Sequence, residues 1–241
     1  MSELHIYPTF CLVCGAPVFD KSIYCTECRK YAPELKRVCK RCGSFTPLKQ
    51  DDYCYFCKDI KIYFDSIVSP YIYCGSTSIV IKKMKYTPVY NYSLVIGNYL
   101  PEIIAKNSDY DLVLYTPMHW IDKLRRSFNQ AEIFAESFSR KWKIPLGKSL
   151  LKKVRKTPNQ AELDFKERTE NLKDAFSVNE KKVKHRKILL IDDVATTLTT
   201  INTISKLLKK SDATSVSVIT MARTTTYFSH DTPYSCDDEN V

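Results

Sequence analysis

Apolar runs and amphipathic stretches alternate along the chain from about Phe64 onward. Ile67 to Cys74 (IVSPYIYC) predicts a strand, and Gly75-Ser76 opens a short helix carrying Ile79, Ile81 and Met84. A second helix is expected over Tyr90 to Lys106, with Leu94, Val95, Tyr99 and Leu100 on its apolar side. Asp111 to Tyr115 (DLVLY) is a compact run that predicts a buried strand before Thr116-Pro117. Gln130 to Lys143 predicts a helix with Ile133, Phe134, Ser137, Phe138 and Trp142 near one face. Lys187 to Ile191 (KILLI) and Ser215 to Met221 (SVSVITM) predict two more strands, with a helix over Thr199 to Lys210 between them. Strands alternating with helices predict an α/β domain built on a mostly parallel sheet with helices on both faces.

The first sixty residues break this pattern with four Cys-x-x-Cys pairs: Cys11/Cys14, Cys25/Cys28, Cys39/Cys42 and Cys54/Cys57. Two intervening residues let both thiolates of a pair turn toward one metal through a tight knuckle. Gly15 and Gly43 follow the second Cys of their pairs and suit the backbone such a knuckle needs. Four thiolates close a tetrahedral structural zinc site, so eight imply two Zn²⁺ ions with no position left for a catalytic water. Sequential pairing is the simplest arrangement, and interleaved pairing satisfies the same spacing. An iron–sulfur cluster also takes four thiolates, but short ribbon-like repeats favour zinc. So short a segment buries too little apolar surface to fold alone, and metal binding is expected to supply much of its folding free energy. Cys74 and Cys236 lie outside the pattern and are read as ordinary unpaired thiols. The expected division is a double zinc-ribbon module at 1–62, the α/β domain at 63–223 and an acidic tail at 224–241.

With 241 residues, 44% hydrophobic and 27% charged, the chain has the composition of a globular protein. It contains no run approaching the ~18 apolar residues needed to span a bilayer, and Met1 to Phe10 lacks the pattern of a secretory signal. A cytoplasmic location without membrane insertion is therefore expected, where cysteines serve metal more readily than disulfides. The net charge of +10 is concentrated ahead of the tail, which holds Asp231, Asp237, Asp238 and Glu239 but no Lys or Arg after Arg223. Basic clusters occur at Lys123/Arg125/Arg126, Lys152/Lys153/Arg155/Lys156 and Lys181/Lys182/Lys184/Arg186/Lys187. Such an excess favours polyanions, and it is equally the charge of a solvated surface.

In parallel sheets ligands bind beyond the C-terminal strand ends. KILLI runs there directly into Asp192-Asp193-Val194-Ala195-Thr196-Thr197-Leu198-Thr199-Thr200 and a helix. Two carboxylates can accept hydrogen bonds from a pair of sugar hydroxyls. The Thr-rich turn at a helix start offers N–H and hydroxyl donors to a phosphate. A carboxylate pair beside a Thr-capped helix has the same sequence.

This loop resembles the phosphoribosyl-pyrophosphate motif of type I phosphoribosyltransferases. The whole chain resembles the ComF family of competence proteins, from the cysteine pairs to about Arg223. The resemblance includes Thr116-Pro117-Met118-His119 and Leu124-Arg125-Arg126-Ser127-Phe128-Asn129-Gln130-Ala131. It continues through Thr157-Pro158-Asn159-Gln160-Ala161-Glu162-Leu163, Glu167-Arg168, Asn171-Leu172, Ala175-Phe176 and the closing Ala222-Arg223. It implies a phosphoribosyltransferase-type sheet behind a double zinc ribbon. Asp192 and Asp193 would then hold ribose hydroxyls, and Thr196, Thr197, Thr199 and Thr200 would surround a 5′-phosphate. Thr116 and His119 would belong to a pyrophosphate loop, with Arg125, Arg126, Asn129 and Gln130 in a basic lid. Mg²⁺ would accompany phosphoribosyl pyrophosphate, because a hard cation neutralises adjacent phosphate oxygens.

The sequence departs from the family at two glycine positions, which hold Leu198 and Ser127. A Leu side chain in the phosphate loop is expected to narrow the pocket or alter the loop. The family points to handling of incoming single-stranded DNA in natural transformation, with an active phosphoribosyltransferase as the alternative. A third reading has the zinc ribbon docking a DNA-translocating helicase of the competence machinery. His119 is either a phosphate contact or a loop-packing residue, and Asn129 and Gln130 are candidate caps for the helix that follows. Trp120, Tyr53, Tyr55 and Phe56 are either base-stacking platforms or core aromatics.

Overall fold

The computed structural model describes residues 9–20, 22–36, 38–46, 54, 57, 60–86, 90–106, 109–157 and 171–224. The acidic tail beyond 224, Tyr53, Tyr55, Phe56 and Cys236 lie outside the described residues, as do positions 158–170 of the family-like stretch.

The described chain begins with a two-residue hairpin, β1 (Thr9–Phe10) against β2 (Pro17–Val18), followed by helix α1 (Thr26–Lys30). Five parallel strands then form the central sheet. These are β3 (Ser66–Val68), β4 (Tyr71–Ile72), β5 (Leu112–Tyr115), β8 (Lys187–Ala195) and β9 (Ser215–Arg223). Their order is β3-β9-β8-β5, with β4 continuing beside β9 after a break at Ser69-Pro70. The expected single strand over Ile67 to Cys74 is thus two short ones, because Pro70 has no N–H to give the ladder.

The sheet separates two cores. On one face lie α2 (Gly75–Tyr86), α3 (Tyr90–Ile103) and α5 (Gln130–Trp142), packing Ile81, Met84, Ile96, Leu100, Phe134 and Phe138 against Val113, Leu189 and Ile191. On the other face, α7 (Thr199–Lys210) packs Ile201, Ile204 and Leu208 onto Leu112, Leu114, Ile188, Leu190, Val216 and Val218. The alternation of side chains along β5 and β8 divides successive residues between the two cores. The α3 face differs from expectation. Ser93, Ile96 and Leu100 are buried while Val95 is exposed. Close packing against α5 explains this, since a Cβ on Gly97 would lie only 3.1 Å from Ser137 Oγ. Small residues win that face over bulkier ones.

Three further elements complete the fold: α4 (Trp120–Arg126), the antiparallel pair β6 (Leu151–Lys153) and β7 (Phe176–Val178), and α6 (Glu180–Val183). The β6/β7 pair escaped sequence reading because each strand has three residues, too few to show a period. Among the described residues no helix is long and apolar enough to cross a membrane.

Candidate functional site

The eight cysteines form two clusters paired sequentially, Cys11/Cys14/Cys25/Cys28 and Cys39/Cys42/Cys54/Cys57, with the four Sγ atoms of each within 4.8 Å of one another. Gly15 and Gly43 carry φ of +79° and +66°, as the knuckles require. At Gly43 there is also no room for a side chain, because a Cβ would lie 2.6 Å from Ile67 Cγ2. Backbone donors already face sulfur: Cys54 N–H approaches Cys39 Sγ at 3.3 Å, and Cys28 N–H approaches Cys25 Sγ at 3.5 Å.

Burial works against ionising Cys11 and Cys39, but N–H donors outweigh it, bringing Cys11 down to about 6 and Cys39 to about 7. Cys28 and Cys42 are pushed well up, and Cys57 to about 12, by burial and by neighbouring thiolates. Four sulfurs this close cannot all carry charge unaided. A divalent ion among them removes the conflict, so the donor sets fit Zn²⁺.

The ribbons lie on opposite sides of the sheet. Cys11 and Cys28 join the core under α2, α3 and α5, whereas the second cluster joins the core under α7. The linker between them runs past the sheet edge at β4: Ile72 N–H donates to Pro33 O at 2.9 Å and Leu35 N–H to Pro70 O at 2.8 Å.

A pocket of about 690 Å³ opens beyond the C-terminal ends of the strands. Asp192 and Asp193 line it from β8 itself, which continues to Ala195 paired with Arg223 instead of ending at Ile191. Pairing of Asp192, Val194 and Ala195 with β9 thus keeps both carboxylates on the strand, not on a loop. Asp192 Oδ1 accepts from Asp193 N–H at 2.9 Å, and Asp193 Oδ1 accepts from Val194 N–H at 2.7 Å. Burial and the Asp193 charge push the Asp192 carboxyl up to about 7.

Lys85, on the last turn of α2, pairs with Asp193 at 2.9 Å. Burial opposes its ammonium, but Asp193 and then Asp192 hold it above the ordinary lysine range. Sequence reasoning missed Lys85. Its one local signal is a Lys one residue beyond Met84 on an apolar helix face.

From the turn into α7, Thr196 and Thr200 line the pocket. Thr197 Oγ1 and Thr199 Oγ1 instead hydrogen-bond one another at 2.9 Å, and Thr199 is buried. No side chain caps α7 through Leu198. Leu198 has φ of +65°, the left-handed conformation that glycine would adopt there, and its side chain is buried in the core under α7. It does not line the pocket, contrary to the expectation from its size. The strain of holding a bulky residue there is on the order of 1 kcal/mol. Ser127, the other glycine replacement, also has φ of +65° at the end of α4.

Thr116 and His119 line the pocket from the loop after β5. His119 Nδ1 accepts from Ile121 N–H at 3.4 Å, so the ring caps α4 as well as facing the pocket. Asn129 Oδ1 accepts from Ala131 N–H at 3.1 Å, capping α5, while its Nδ2 donates to Thr116 O at 2.9 Å. Gln130 does not cap; its Nε2 donates to Met84 O at 3.3 Å, fixing α2 beside Lys85. Arg125 and Arg126 end α4, and their side chains lie outside the described parts. Lys153 and Lys156 line the opposite wall, and burial draws the Lys153 ammonium below its ordinary pKa. Trp120 is 64% exposed, so of the two readings of this aromatic the core one does not hold.

Fold and site together define a class: a double zinc ribbon built into a parallel α/β domain, with a carboxylate pair and a Thr-rich helix start at its ligand edge. Residues 4–58 match the family described as a double zinc ribbon domain. The chain is 30% identical to Competence protein F of Haemophilus influenzae over 222 residues, 88% of this chain and 96% of that one. DNA utilization protein YhgH of Escherichia coli O157:H7 is 26% identical over 234 residues, 90% of this chain and 98% of its own. The chain belongs to the competence protein F family, with a double zinc ribbon ahead of a parallel α/β domain.

Among solved structures, glutamine phosphoribosylpyrophosphate amidotransferase from B. subtilis matches at TM-score 0.37 and 20% identity, over 53% of this chain and 25% of that one. Adenine phosphoribosyltransferase from Thermoanaerobacter pseudethanolicus matches at TM-score 0.34 and 14% identity, over 61% of this chain and 85% of that one. This chain therefore spans about a quarter of the amidotransferase.

Proposed function

We propose that this protein is an accessory of natural transformation that handles incoming single-stranded DNA in the cytoplasm, through a domain that also binds a phosphorylated sugar. The observation that carries the reading is similarity to Competence protein F along nearly the whole of both chains. The proteins named for DNA utilization support it, as does the charge of +10. Lys153 and Lys156 add positive charge to the pocket wall, and the exposed indole of Trp120 beside His119 offers a face for a nucleobase. The test is binding of labelled single strands by the zinc-loaded protein across a salt series. Affinity should be highest at low salt and fall steeply as salt rises, because phosphate contacts release counterions. No binding at low salt sinks the reading.

A second reading, an active phosphoribosyltransferase, is favoured by one specific observation. Asp192 and Asp193 stand on regular strand beside a turn whose Leu198 keeps the glycine conformation and points into the core. In that reading the two carboxylates bind the ribose hydroxyls, and Thr196, Thr200 and the start of α7 take the 5′-phosphate. Thr116 and His119 face the pyrophosphate, and Mg²⁺ arrives with it. Lys85 would neutralise Asp193 until ribose hydroxyls replace it. Calorimetry with phosphoribosyl pyrophosphate and Mg²⁺ decides the binding step. Failure to bind at millimolar ligand removes this reading and leaves the DNA reading standing.

A further inference from the structure

Arg223 closes β9 and is the bulkiest fully buried side chain among the described residues, 1% exposed. Its Nε donates to Cys42 O at 3.3 Å. Nη1 donates to Ala195 O at 2.8 Å, to Thr196 O, and to Thr224 Oγ1 at 3.3 Å. One of the three carbonyls belongs to the second zinc knuckle, one to Ala195 at the end of β8, and one to Thr196 in the turn before α7. Burial draws its guanidinium below the ordinary arginine range, while the neighbouring Cys42, Cys54 and Cys39 oppose that loss of charge. Four thiolates around one Zn²⁺ carry net negative charge, so the loaded cluster is a counter-ion for this arginine.

The geometry points to Arg223 as a positioning residue that couples the second zinc site to the phosphate loop. Zinc fixes the knuckle, the knuckle holds the guanidinium, and the guanidinium fixes the Ala195 and Thr196 carbonyls. A trans peptide directs its N–H opposite its C=O, so anchoring Thr196 O turns the Thr197 N–H away from Arg223. The planar fork matters, because a lysine ammonium is a compact point charge that cannot span knuckle and turn in this way. The first ribbon has a different connection: Lys83 Nζ on α2 donates to Leu12 O at 3.3 Å and to Val13 O at 2.6 Å, on the other face of the sheet. Among the described residues, coupling to the turn therefore runs through the second zinc site. The inference rests on the reading of this turn as a sugar-phosphate loop.

The test compares wild type with Arg223→Lys, both full length and zinc loaded, by amide hydrogen exchange and by calorimetry with ribose 5-phosphate. Arg223→Lys should speed exchange about fivefold or more at positions 195–198 and 40–43, with β5 and α5 unchanged, and weaken ribose 5-phosphate by a similar factor. Unchanged exchange at 195–198, or an equal rise throughout the sheet, overturns the coupling. If Arg223→Lys fails to fold, the reciprocal effect is read in wild type. Saturating ribose 5-phosphate should then slow chelator-driven alkylation of Cys39, Cys42, Cys54 and Cys57 while leaving Cys11, Cys14, Cys25 and Cys28 unaffected. Equal slowing at both clusters refutes the inference. Absence of ribose 5-phosphate binding to wild type overturns only the sugar-phosphate reading. The coupling is then decided by exchange in wild type as zinc is partly stripped from the second site: a rise at 195–198 and 40–43 ahead of β5 and α5 supports it, and no rise or an equal rise throughout the sheet refutes it.

Discussion

The two zinc knuckles share a ligand set and a spacing, yet they sit in opposite physical settings. In the first, Cys14 is exposed and Cys25 half-buried, and the ribbon is joined to the domain through Lys83 and the residues packed on α2. In the second all four cysteines are buried, a glycine is wedged against Ile67, and Arg223 reaches the knuckle from the end of β9. One motif thus serves as an outer clasp in one place and as part of the core in the other. Spacing sets the metal chemistry, while burial sets how far the loss of metal propagates.

The sharpest way to break this comparison is to remove one ligand from each site. Cys54→Ser should cost several kcal/mol and leave little folded protein, because metal binding is folding free energy in a small ribbon and this cluster belongs to the main core. Cys14→Ser should lower zinc content by one ion while the α/β domain still melts cooperatively, as seen by metal analysis and thermal denaturation. Equal effects from the two substitutions would show that burial does not separate the sites.

Leu198→Gly probes the second face without touching zinc. Removing a buried leucine costs about 2–4 kcal/mol, offset in part by relief of left-handed strain of about 1 kcal/mol. A net fall in stability is expected by denaturant titration, with ribose 5-phosphate affinity held within about threefold, a margin under 1 kcal/mol. A large gain in affinity would instead mean that the side chain obstructs the pocket.

Between the two faces, Asp192→Asn tests the pocket edge. The folded pKa of Asp192 is about 7 against an ordinary 3.8, so the fold retains a proton there that the unfolded chain releases. The Asp192 contribution to stability therefore falls as pH rises from about 4 to about 7, and the full cost persists above that. Asp192→Asn should match wild type near pH 4 and exceed it by about 4 kcal/mol at most at pH 8, while losing ribose 5-phosphate. Melting curves at the two pH values check it.

The smallest effect is expected at the outer clasp. Asp20→Asn removes a 2.7 Å pair with Arg29 whose side chains are both about half exposed. Its cost should stay below about 0.5 kcal/mol and vanish in high salt. The Arg29 partner lowers the Asp20 carboxyl, although burial pulls the other way, so this contribution exists above its ordinary pKa and is lost as pH falls.

Much of this was legible in the chain. KILLI pairs residue by residue with Ser215 to Ile219 in β8 and β9, and the helix over Thr199 to Lys210 has the expected ends. Long apolar runs declare themselves because burial on both faces leaves few other sequences possible. The α3 face was misread at Val95, since the chain does not announce that Gly97 will meet another helix. Asp192 and Asp193 were placed beyond the strand because their polarity ends the apolar run; pairing with β9 carries the ladder through them.

What the sequence alone determined is local chemistry: cysteine spacing that makes two tetrathiolate sites, a carboxylate pair ahead of a Thr-rich helix start, and strand–helix alternation. These follow from bonds and periods within a few residues. Tertiary structure decided which zinc site is buried, where Leu198 points, and that Lys85 faces Asp193. It also brought Arg223 to Cys42 across 181 positions of chain. Such meetings depend on how two cores pack across one sheet, and no short-range pattern encodes that packing.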